Sequence, residues 1–153
     1  MNKIECKTKI RHGYVDRYVD GIITKCEKNT EFFDFNIDGN SLYDRFQSYD
    51  FISVLQHKEE SAQREEIEKL LLKRTSELDS RRYFLYVCPM CADLGCGAIT
   101  VSIRLEGENI IWSDFSYEDG ETTKTLKIGT FMFDWLEYSD SILSSIFDNH
   151  KSM

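Results

Sequence analysis

The chain has 153 residues, 41% of them hydrophobic and 13% aromatic, with one proline and eight glycines. That length and composition support one folded domain over 1–153 and exclude a disordered or low-complexity chain. The longest uncharged apolar stretch, residues 83–90, falls far short of the ~20 residues a membrane helix needs, and the opening MNKIECKTKIRHG contains no apolar leader core.

A cytoplasmic protein is therefore expected, whose five cysteines, an odd number, are reduced thiols. The net charge of −8 is unevenly spread. Residues 1–105 hold 17 acidic and 16 basic residues, a balance of −1, whereas residues 106–153 hold 10 and 3, a balance of −7. A field of that sign repels nucleic acid and attracts cationic partners. The plainer use of such acidity is a solvated face that keeps the protein soluble.

In chain order, residues 3–10 (KIECKTKI) alternate Ile4, Cys6, Thr8 and Ile10 with charged residues, the period of a strand. Residues 14–19, 21–26 and 31–37 are β-branched and aromatic, and Asp38-Gly39-Asn40 is a turn, so the first quarter reads as a short-stranded antiparallel meander. Phe32 and Phe33 are adjacent and must face opposite ways in a strand, so either both faces are covered or one ring meets a partner.

Ser41 is placed to cap a short helix over 42–47. Residues 51–55 fit either a strand or a helical turn. Residues 59–77 are rich in helix formers, with Ile67, Leu70 and Leu71 on one side, and predict an amphipathic surface helix. Strands follow at 83–87, 97–105 and 109–117, the last two forming a hairpin about the turn at 106–109. Residues 117–121 are a polar loop and 122–129 can form one more strand. From Phe131 the apolar spacing lengthens to three and four through Trp135, Tyr138, Ile142, Leu143, Ile146 and Phe147, which predicts a C-terminal helix packed on a sheet. The expected class is α+β: a mainly antiparallel sheet with a central amphipathic helix and a C-terminal helix.

Between two of these strands lie Cys88, Cys91 and Cys96, spaced C-x2-C-x4-C. As zinc ligands the three thiolates would need a fourth donor, for which Asp93, Cys6, Cys26, His12, His57 and His150 are candidates. As thiol redox groups they should open a helix, but the β-branched run after Gly97 predicts a strand. The preferred reading is a tight structural turn of small buried thiols, with Gly95 and Gly97 beside Cys96 where the backbone needs unusual angles or close approach.

None of the short motifs of hydrolases, nucleotide-binding proteins or metalloproteases is present, and the three histidines are far apart, so no catalytic residue is assigned. Pairs of carboxylates arise by chance among 27 acidic residues.

The string CPMCADLGCGAIT with WSDF at 112–115, and more faintly DGNSLYD at 38–44, resembles a group of small bacterial proteins that share a C-P-x-C-x-D-x-G-C-G-A core and a Trp-x-Asp-Phe element. Members carry loosely transferred oxidoreductase labels. That resemblance implies, as the alternative function, a metal-binding or thiol-dependent enzyme built on the cysteine cluster. In size, acidity and aromatic content the chain is also similar to immunity proteins that neutralise bacterial toxins. The expected function is a protein-binding inhibitor that masks a cationic toxin, without nucleic acid, membrane or required cofactor. Its expected contact residues are Asp114, Glu118, Asp119, Glu121, Asp134, Glu137 and Asp140, with Tyr117 and Tyr138 as anchors.

Overall fold

The computed structural model describes residues 1–76, 78, 81–89 and 94–147. Alternation in the first quarter produces β1 (Ile4–Arg11), β2 (Tyr14–Val19), β3 (Ile22–Glu27) and β4 (Thr30–Ile37), followed by the two-residue β5 (Asn40–Ser41). β4 lies between β1 and β5. The β1–β4 ladder runs from Ile4 opposite Ile37 to Arg11 opposite Thr30. Beyond it β2 and β3 form a hairpin of their own, closed by Asp20 (φ 52°) and Gly21 (φ 79°), the two left-handed residues that a tight hairpin turn requires.

β6 (Ile52–Ser53), β7 (Arg82–Val87), β8 (Ala98–Glu106) and β9 (Asn109–Glu118) form a second sheet. The far side of β9 is shared between β10 (Thr123–Thr125), opposite 116–118, and β11 (Phe131–Asp134), opposite 109–112. Every pairing is antiparallel among the described residues. Two further backbone bonds join the sheets, Phe33 to the Leu55 carbonyl (2.9 Å) and Asn2 to that of Met132 (2.9 Å), while Val54 to that of Leu85 (3.0 Å) extends the β6–β7 pairing. The strands therefore follow one another around a single core. This is the α+β fold expected from the sequence.

Two α-helices among the described residues complete it, α1 (Glu60–Leu70) and α2 (Trp135–Leu143). α1 stops short of the expected 59–77, because Leu72 turns left-handed (φ 60°) and Leu71 is buried at the helix end. α2 begins at Trp135, four residues later than its apolar spacing suggests. Phe131–Asp134 instead occupy the free edge of β9, and the Asp134 carboxylate accepts the Glu137 amide (3.1 Å) to start the helix. The segment at 43–49 is a 3-10 helix broken at Phe46, with the Ser41 hydroxyl accepting the Asp44 amide (3.2 Å). Residues 122–129 form only the three-residue β10.

The core is aromatic. Trp112 is surrounded at ring distances of 5.4 Å by Phe35 and Phe133, 5.9 Å by Tyr138 and 6.5 Å by Phe115. Phe32 and Phe33 are both buried, one against Tyr43 and the other against Phe147, so both faces of β4 are covered. Buried Gln63 ties the ends together: its amide donates to the Ser145 carbonyl (2.6 Å) while its oxygen accepts the His57 amide (2.9 Å).

Among the described residues one carboxylate enters the core, Asp34 at 1% exposure. It accepts from the Tyr86 hydroxyl (2.7 Å), the Tyr43 amide (3.1 Å) and the Ser41 hydroxyl, and Lys9 lies 4.0 Å away. A buried charge so provided with donors is tolerated, whereas removing one donor leaves it under-solvated. Tyr86→Phe should therefore destabilise the protein by about 1.5–3 kcal/mol in urea unfolding. A loss below about 0.5 kcal/mol would show that the Tyr86 hydroxyl is not needed to hold Asp34 in the core.

Candidate functional site

β9 decides where the acidic residues go. Asp134 sits opposite Asn109 at its first residue, and Glu118 is its last, so roughly 30 Å of extended strand separates them. The expected contact residues fall accordingly into two groups, Asp114 to Glu121 at one end and Asp134 to Asp140 at the other.

At the first end most of the chemistry is turned inward. Glu118 is half-buried, accepts from Thr100 and pairs with Arg82 (3.4 Å). The other arm of the Arg82 guanidinium donates to the Asp114 carbonyl (2.7 Å), at the irregularity where β8 and β9 change register. Asp119 folds its own loop, accepting from the amides of Thr122 (2.7 Å) and Glu121 (3.0 Å), and these bonds hold its carboxyl below the ordinary range. Tyr117 stacks on Tyr49 (5.1 Å) and Phe51 (6.4 Å). A Cβ on Gly97 (φ 92°) would lie 2.8 Å from the Tyr117 ring, so only glycine fits there. Asp114 and Glu121 remain exposed.

Cys88 and Cys96 adjoin this end, on either side of the Val87–Ala98 pair of β7 and β8. Cys88 is a half-buried free thiol. Cys96 is exposed and disulfide-bonded, which corrects the expectation of five reduced thiols and leaves Cys96 without a thiolate to offer zinc in this state. Cys91, Asp93 and His150 lie outside the described residues. Of the other candidate ligands, Cys6 packs against the core, where burial and nearby Asp34 push its thiol up to about 12. Cys26 lies on the β2–β3 hairpin, and the His12 ring meets Asn29 (3.3 Å). Among the described residues no three metal-ligating side chains converge.

The second end is different in kind. A groove of about 290 Å³ opens between the β8–β9 turn and the start of α2, lined by Leu105, Gly107, Glu108, Asp134, Trp135 and Leu136. The Trp135 amide donates to the Glu108 carbonyl (2.9 Å), fixing turn to helix. Leu105 is 51% exposed and Leu136 72%. Leu143, seven residues on, is exposed on the same outer face of α2. Around these apolar groups stand Glu108, Asp134 and Asp140, none in an ion pair among the described residues, and Glu137, which is paired with Lys3 (2.8 Å).

Tyr138, expected as a surface anchor, belongs to the core. It has no exposed surface, donates to the Leu70 carbonyl (2.7 Å) and accepts from the Trp112 indole (3.3 Å). A helix has one inward face, and Tyr138 and Ile142, four apart, occupy it. Sequence reasoning missed Leu105, Glu108, Trp135 and Leu136. The available signal was the Trp135-Leu136 pair, since neighbours on a helix point about 100° apart and cannot both be buried in one narrow stripe.

Comparison with protein families, with curated proteins and with solved structures gives no match. No helix among the described residues is long and apolar enough to cross a membrane.

Two expectations follow. Gly97→Ala combines a left-handed backbone with a clash against Tyr117 and should lower stability by about 1–3 kcal/mol, measured by thermal or urea unfolding; an unchanged protein would contradict the tight fit. Asp119 has its folded pKa below the unfolded value of about 3.9, so its contribution is present above that pH and lost as pH falls through the folded value. The Thr122 amide should accordingly titrate in NMR spectra with a midpoint below about 3.9. Asp119→Asn should keep the turn and abolish that titration, whereas a midpoint at or above the ordinary value would show that the carboxylate does not hold the loop.

Proposed function

We propose that the chain is a protein-binding inhibitor of the immunity type, which neutralises a cognate cationic bacterial toxin. The interface is the groove at the start of α2. The observation that carries this reading is the combination at one place of the exposed Leu105 and Leu136 and the half-buried Trp135 with carboxylates that form no ion pair among the described residues. Apolar anchors in a pocket supply most of the affinity of protein interfaces, and a charged rim supplies approach rate and specificity.

Leu105, Trp135 and Leu136 would receive an apolar side chain of the partner, and Glu108, Asp134 and Asp140 would meet its lysines and arginines. A basic nuclease-type toxin fits this chemistry, because the surface it uses for phosphates is cationic. At the other end of β9 the carboxylates of Glu118 and Asp119 are committed to Arg82 and to the 119–122 loop, and the exposed Asp114 and Glu121 have no groove of exposed leucines beside them among the described residues, which is why the reading places contact at the start of α2.

The test is growth rescue and binding when the chain is co-expressed with basic nuclease-type toxins. Leu136→Asp, at an exposed position, should leave the fold intact and weaken binding at least about 30-fold, the equivalent of a 2 kcal/mol hot spot, chiefly through faster dissociation. Glu108→Lys with Asp140→Lys should slow association and flatten its salt dependence. Rescue and affinity indifferent to both sets of changes would refute the proposed interface.

A further inference from the structure

The hairpin of β2 and β3 has no role in that reading, and all but one residue of each of its strands are exposed. It continues the β1–β4 ribbon past the breaks at 12–13 and 28–29, where the Lys28 amide donates to the Gly13 carbonyl (2.7 Å). Both of its faces are in solvent. Val15, Arg17, Val19, Ile22, Thr24 and Cys26 lie on one; Tyr14, Asp16, Tyr18, Ile23, Lys25 and Glu27 on the other. Tyr14 is 67% exposed, Tyr18 77%, Ile22 66% and Ile23 60%.

An isolated two-stranded hairpin is marginal in water, and three or more strands are needed for independent stability. Exposed edges are ordinarily blunted by charge, proline or a bulge. The outer edge of β3, Ile-Ile-Thr-Lys-Cys-Glu, has a single lysine at its centre, and among the described residues no strand pairs with it.

We propose that β3 pairs edge to edge with β3 of a second copy of this chain, in antiparallel register centred on Thr24, to make a four-stranded sheet across a two-fold axis. Two features select a second copy as the occupant. The first is charge. Residues 14–28 hold Asp16, Asp20 and Glu27 against Arg17, Lys25 and Lys28, a balance of zero in a chain of −8. The arm is therefore a place where two copies meet without net repulsion, and it offers no field to draw in a cationic or an anionic protein.

The second feature is self-complementarity. Directly opposed residues in an antiparallel pair point to the same face, so a two-fold pairing must place some residue opposite itself. At the centre of β2 that residue is Asp16 or Arg17, and like charges directly opposed are destabilising. At the centre of β3 it is Thr24 or Lys25, and β3 thus has at its centre an uncharged choice that β2 lacks, since Thr24 makes a favourable cross-strand pair with its own copy. The same register puts Ile23 opposite Lys25 and Ile22 opposite Cys26, with no like charges in contact.

That last pair gives a covalent test. In sedimentation the wild-type protein should associate to twice its 18.0 kDa mass, and Thr24→Lys, which opposes two lysines at the axis, should weaken association at least tenfold while its circular dichroism is unchanged. Mild oxidation of the I22C variant should yield a covalent dimer, bridged from the introduced thiol of one copy to Cys26 of the other, as mapped by mass spectrometry of its peptides. Positions 22 and 26 of one strand are about 13 Å apart, beyond the ~7 Å limit for a disulfide, so such a bridge joins two molecules. The control I22C/C26S should lose it. A protein that stays monomeric up to about 100 μM, where even weak specific association registers, would overturn the proposal. So would a dimer indifferent to Thr24→Lys, or bridges formed between the two introduced thiols in place of the 22-to-26 pair.

Discussion

The contact on which the rest depends is that of Trp112 with Tyr138. The indole of β9 donates to the Tyr138 hydroxyl, and that hydroxyl donates in turn to the Leu70 carbonyl at the end of α1. Three elements distant in sequence are thereby locked by two buried hydrogen bonds inside an aromatic cage completed by Phe35, Phe115 and Phe133. Burial pushes the Tyr138 hydroxyl far above its usual range, so it stays a neutral donor at any pH at which the protein folds. Once Tyr138 and Ile142 are fixed inward, geometry leaves Leu136 and Leu143 facing out. The groove is a consequence of the core.

β9 is the second constraint. Ten residues of strand hold the two acidic groups apart, and each end uses its carboxylates differently. Near Glu118 two of the four, Glu118 and Asp119, are absorbed by Arg82, Thr100 and loop amides, and the stack of Tyr49, Phe51 and Tyr117 closes over Gly97. This end is architecture, a rigid corner next to the cysteine cluster. Near Asp134 the carboxylates frame exposed apolar side chains, the arrangement suited to recognition. A net charge read from sequence does not distinguish these uses, because the difference lies in which cations and amides the fold brings alongside.

Much of the fold was legible. Period-two alternation placed β1, β-branched and aromatic composition placed β4, runs of strand formers on either side of the turn at 106–109 placed β8 and β9, and composition with apolar spacing placed α1. The start of α2 was misread for a physical reason: residues 131, 135 and 138 satisfy helical spacing, yet Phe131 and Phe133 also satisfy strand spacing, and the unpaired edge of β9 decided between them. That edge is a tertiary fact. Tyr138 was misassigned for a similar reason, since a tyrosine suits either a core with an acceptor or an interface, and the acceptor, Leu70, is 68 residues away. Nor does EFFDFNI announce that its aspartate will be buried, because the donors come from Ser41, Tyr43 and Tyr86. The exposed hairpin was legible as two strands, but its lack of cover was not.

The central claim is that recognition takes place at the α2 end of β9 and not at the cysteine cluster. Oxidative footprinting of the chain, free and bound to the proposed toxin partner, tests it most directly, because it reads the solvent exposure of side chains one by one. The account predicts that Leu105, Trp135 and Leu136 lose reactivity in the complex while Tyr117 and Cys88 keep theirs. Protection of Tyr117 and Cys88 with Trp135 and Leu136 unchanged would contradict it.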